Sequence, residues 1–115
     1  MRKSDKKTDN ELRKFLTSLC DSEFESIPDF SWLTHSVNYS NFPASLKIVC
    51  VFETNNGLNQ FLNSQEAQGI VVKALNGINK LGIKLKNKDN VFVYDSEENC
   101  DSEHQGNWAK RLAKL

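Results

Sequence analysis

The sequence predicts an α+β domain: one three-stranded sheet with helices packed on one face. Three observations carry this. Two segments place apolar residues at helical spacing, Leu12, Phe15, Leu16 and Leu19 in the first, then Ile70, Val71, Ala74, Leu75, Ile78 and Leu81 in the second. Two strand-like runs, "SWLTHSVNY" and "SLKIVCVFET", flank "SNFPA", where Pro43 suits a turn and not a central strand. A third run, "NVFVYD", follows the second helical segment. The resulting order is α-β-β-α-α-β-α.

The first helix is expected over about residues 9–26. Thr8 and Glu11 in "TDNE" fit a capping box, and Pro28 marks the exit. Residues 1–8 are then a flexible basic N-terminus and residues 9–115 a single domain. In the hairpin, pairing Tyr39 with Leu46 sets His35 opposite Cys50 and Leu33 opposite Phe52. One face is then the core, with Leu33, Val37, Ile48 and Phe52. The other is mixed, with an apolar patch of Trp32, Val49 and Val51 that Phe92 or Tyr94 could extend. A slip of two residues would keep each side chain on its face, because strand side chains alternate with period two.

"TNNG" starts a short helix carrying Leu58, Phe61 and Leu62. "NSQE" reads as a second capping box, with Asn63 as cap and Glu66 three positions on, so the helix breaks and restarts there. Gly82 can end the longer helix. "GIKL" is a brief strand or a loop, and "NWAKRLAKL" sets Trp108, Leu112 and Leu115 on roughly one helical face.

At 115 residues, 38% hydrophobic and 26% charged, the chain fits one soluble domain with a core of its own. No run approaches the length of a membrane span, and no apolar signal core follows the basic start, so a cytoplasmic location is expected. The three cysteines, Cys20, Cys50 and Cys100, are odd in number and far apart, as reduced thiols are. Net charge is zero, yet the charges are segregated. Lys73, Lys80, Lys84, Lys86 and Lys88 fall in a stretch without an acid, and an acidic block follows it.

Cys100 and His104 lie one helical turn apart and could touch one metal ion. Zinc would require two further ligands, and no second close pair supplies them. The alternative is punctuation: Asp95 or Ser96 caps a helix, Glu97 and Glu98 suit its dipole, and Gly106 ends it. His35 opposite Cys50 resembles half of a thiol catalytic pair, but it lies on the apolar face, where burial holds a thiol neutral. The G-x-S-x-G, Walker, H-E-x-x-H and G-x-G-x-x-G motifs are all missing. The reading is a non-enzymatic protein that needs no cofactor.

The element order over residues 9–95 resembles type II KH domains and the BolA-like fold. A KH domain would carry a G-x-x-G loop between the two middle helices, where this chain reads "FLNSQEAQG". The BolA-type R-H-R cluster also has no counterpart. "RKSDKKTDNELRKFL", "WLTHSVNYSNFPASLKIVCVFETN" and "DSEENC" resemble a group of short uncharacterised bacterial proteins. Some of these are labelled Fis-type regulators, which are all-helical and end in a helix-turn-helix.

Two binding functions follow as expectations. In the first, the chain is a protein-interaction or adaptor module, or a homodimer, and uses Trp32, Val49 and Val51. In that case the last helix, through Trp108, must leave the patch uncovered. In the second, Lys73, Lys80, Lys84, Lys86 and Lys88 meet the phosphates of a nucleic acid.

Overall fold

The computed structural model describes residues 3–85 and 88–114. Its elements are α1 (Lys3–Leu19), β1 (Phe30–Ser36), β2 (Lys47–Phe52), α2 (Asn55–Leu62), α3 (Gln65–Lys80), β3 (Phe92–Ser96), α4 (Glu97–His104) and α5 (Trp108–Leu112). The α+β class is as the sequence predicts. Among the described residues no helix is long and apolar enough to cross a membrane.

Helix α1 starts at Lys3, so residues 3–8 belong to it, and Thr8 sits inside the helix instead of capping it. Nothing between Lys3 and Thr8 breaks a helix, and Asp5 lies in the first turn where the dipole favours an acid. The helix ends at Leu19, earlier than expected, and continues as a π-helical turn over Cys20–Phe24. That turn delivers Phe24 into the core, stacked 4.5 Å from Phe30.

Strand β2 is central, antiparallel to β1 and parallel to β3. The hairpin register differs by two residues from the sequence expectation: His35 pairs with Ile48, and Leu33 with Cys50. The cause lies in the turn. Asn38 and Ser45 close the hairpin through two 2.9 Å hydrogen bonds, and Tyr39 is drawn into a 3-10 turn over Tyr39–Asn41. Every side chain nonetheless keeps its predicted face.

Ile48, Cys50 and Phe52 meet Leu12, Leu16, Leu58, Phe61, Ile70 and Ala74 in the main core. Phe92 and Tyr94 pack on this same core, opposite to the patch they were expected to extend. The second face carries Val49 and Val51, which are 1% and 0% exposed. The C-terminal helices α4 and α5 lie over this second face. Trp32, which pairs with Val51, meets Trp108 of α5 edge to face at 4.8 Å. Cys100 of α4 is fully buried.

Polar side chains set the helix starts. Thr54 caps α2 and accepts from the Gly57 amide at 3.0 Å. Ser64, not Asn63, caps α3, and Asn63 instead closes α2. Ser96 caps α4, and Gln105 and Gly106 end that helix with positive φ. The punctuation reading of this stretch therefore holds. Ser96 is also fully buried, and its hydroxyl donates to Asn55 at 2.6 Å while accepting from the Asn99 amide at 3.0 Å. The starts of α2 and α4 thus share one polar junction. The "GIKL" residues Gly82 to Leu85 form no strand, and Leu115 lies outside the described residues.

Asp29 holds the approach of β1 to α2. It sits at φ 68°, and its carboxylate accepts from the Thr54 amide at 2.9 Å and the Thr54 hydroxyl at 2.6 Å. A β-carbon on Gly57 would lie 2.0 Å from the nearest atom of that carboxylate, so only glycine fits there.

Candidate interaction surface

The predicted patch of Trp32, Val49 and Val51 is not a free surface. A half-buried face in mid-sheet needs a cover, and the C-terminal segment provides it. The Glu97 carboxylate accepts one indole N–H from Trp32 at 2.6 Å and one from Trp108 at 3.0 Å. Arg111 clamps the same layer to β3: its Nε and Nη2 donate to Asp95 at 2.5 and 2.9 Å, and Nη1 also reaches Glu103. Burial works to raise the Asp95 pKa, but the Arg111 bonds, the Ser96 amide and Asn99 outweigh it and hold Asp95 below the usual carboxylate range.

Cys100 and His104 both lie on α4. The thiol is buried, and the His104 Nδ1 lies 3.1 Å from an Arg111 nitrogen. Among the described residues no group of three or more His, Cys, Asp or Glu is placed to hold a metal ion. His35 and Cys50 are not partners across the hairpin. Burial pushes the Cys50 thiol up to about 12, and His35 turns to α1, where its Nε2 is 2.8 Å from Asp9 Oδ1. Tyr39 donates to the same oxygen at 2.7 Å, and Arg13 binds the other at 2.9 Å. This network pins the hairpin to α1. Its partners lie 26 and 30 residues from Asp9, so no local pattern in the sequence announces it.

The described lysines of this run have different surroundings. The Lys73 ammonium is 2.9 Å from a Glu23 oxygen. Lys84 and Lys88 line a recess of about 170 Å³ together with Asn76 and Asn79. Lys80 is exposed at the end of α3, and Lys86 lies outside the described residues.

The exposed large apolar side chains are elsewhere. Among the described residues they are Val72, 55% exposed, and Leu62, 45% exposed. Val72 lies off the buried stripe of Ile70, Ala74 and Ile78, on the solvent side of α3. With it are Gln65, Gly69, Asn76 and Asn79, all exposed. Their spacing of four, three, four and three residues lines them along one seam of the helix. None of the five is charged. Glu66, Lys73 and Lys80, each seven residues apart, form one rim of this seam. A groove of about 310 Å³ between Gly69, Ile70 and the Ser22–Ile27 region adjoins that rim. The signal in the sequence was Val72 itself, an apolar residue off the predicted stripe.

Comparison with family models, with curated proteins and with solved structures returned no match. The functional reading therefore rests on this geometry.

Proposed function

We propose that the protein is a non-catalytic interaction module that docks a protein partner on the solvent face of α3. One observation carries this reading. The exposed large apolar side chains of the described residues belong to α2 and α3, and the seam around Val72 is free of charge in a chain that is 26% charged. Depletion of charge at the centre with charge at the rim is the pattern of an interface core. The absence of catalysis is supported by what the chemical groups are doing. Cys50 and Cys100 are buried, and Asp9 and Asp95 are engaged by cations.

A photo-cross-linking amino acid at Val72, with Ser102 on α4 as the control position, tests this in cells. A protein adduct at Val72 that Asn76→Glu on the same seam suppresses, with none at Ser102, supports the assignment. No adduct at Val72, or equal adducts at both positions, refutes it.

The nucleic-acid reading draws on one observation, the recess shared by Lys84 and Lys88. Anisotropy of labelled RNA and DNA oligonucleotides at low and moderate salt tests it. Salt-sensitive binding lost in Lys84→Ala/Lys88→Ala supports it, and no binding at low salt removes it.

A further inference from the structure

We infer that the partner seated on α3 is a second copy of this chain, with the two α3 helices packed antiparallel about a two-fold axis at Val72. This rests on the reading of α3 as a docking face. It names the occupant from charge complementarity. In an antiparallel pair related by a two-fold axis, the same rim of each helix meets itself head to tail. With Val72 against Val72, Gly69 faces Asn76 and Gln65 faces Asn79 of the second copy. On the rim, Glu66 then comes within two residues, about 3 Å of helical rise, of Lys80 of the second copy, and Lys80 likewise of its Glu66, a gap that the two side chains span, so two ion pairs form at once. Lys73 falls near the axis, where it would oppose its own copy. Its ammonium, however, is already bound by Glu23 at 2.9 Å, so that charge is compensated within each chain. A parallel pairing brings this rim against the opposite rim, where Gln68 and Leu75 lie, and makes neither ion pair.

Gly69 supports the same arrangement independently of charge. It sits mid-helix and exposed, where glycine weakens a helix. A β-carbon there meets nothing within 4 Å in its own chain. Among the described residues nothing requires a glycine there, whereas the absence of a side chain at that point lets a second helix backbone come close.

The test is sedimentation of the full chain across the micromolar to millimolar range. The expected result is an average mass rising with concentration toward twice that of the 13.1 kDa chain. Val72→Glu abolishes the rise with an unchanged circular dichroism spectrum. Glu66→Lys and Lys80→Glu each weaken association roughly tenfold, since each replaces two attractive pairs by two repulsive ones. The double reversal Glu66→Lys/Lys80→Glu restores it. A chain that stays monomeric throughout overturns the second copy as occupant. The cross-linking result at Val72 then separates the two ideas: an adduct to another protein keeps the docking face, and no adduct removes both. Association that survives Val72→Glu, or single reversals that the double does not rescue, also overturns the proposal.

Discussion

Replacing Arg111 by alanine tests whether the C-terminal layer is bound to the sheet by charge. Arg111 and Asp95 are each 15% exposed and meet through two hydrogen bonds. Breaking a fully buried pair by removing one partner costs about 3–5 kcal/mol, because the other charge is left stranded. Some water reaches this pair, and Asp95 keeps the Ser96 amide and Asn99. The expected loss is therefore about 2–3 kcal/mol, a large share of the roughly 5–15 kcal/mol that holds a typical domain. Urea titration followed by circular dichroism at neutral pH measures it. Asp95→Asn should be costly alone and less so when Arg111 is already alanine, with a coupling of about 1–2 kcal/mol. The pH profile adds a signed check. Asp95 has a depressed pKa in the folded chain, so it contributes stability above the unfolded carboxylate value of about 4. That contribution is lost as pH falls through the folded value. The parent chain should lose this stability on acidification, and Arg111→Ala should lose less. A variant within about 0.5 kcal/mol of the parent, or single changes that simply add, would refute the clamp.

Three other outcomes are expected. Gly57→Ala should destabilise by about 2 kcal/mol or more by urea titration, because its β-carbon would lie 2.4 Å from the Asp29 Cβ and that side chain is fixed by Thr54. Gly69→Ala, measured at a concentration where the chain is monomeric, should stabilise by about 0.5–1 kcal/mol, since the added methyl meets only solvent and improves the helix. Thiol labelling of the folded chain at mildly alkaline pH should spare Cys50 and Cys100, both 0% exposed, and reach the partly exposed Cys20 first; equal labelling of all three without denaturant would contradict the burial.

The fold was legible where a pattern is local. The stripe from Ile70 to Ile78, the alternation of the hairpin and the caps at Thr54 and Ser96 each declare themselves within a few residues. What escaped depends on distant partners. The cover over Val49 and Val51 depends on Trp32 and Trp108 sharing Glu97, across 65 residues in one case. The docking of α1 on the hairpin depends on Asp9 reaching His35 and Tyr39. The exposed patch was assigned to the wrong face for the same reason. Alternation identifies the two faces of a strand but not what will lie on each. Val72 was visible as an apolar residue off its stripe, yet only the packed helix shows that side to be open.

The central position of β2 has a consequence for synthesis. Val49 and Val51 belong to the middle strand, but their cover is built from residues 97–112. A nascent chain that has formed α1, the hairpin and α2 still carries a wet valine face and an unpaired flank on β2. Parallel β3 must arrive before that flank is closed, and α5 must follow before the face is dry. Until Arg111 reaches Asp95, the middle strand of the sheet keeps its two valines in water.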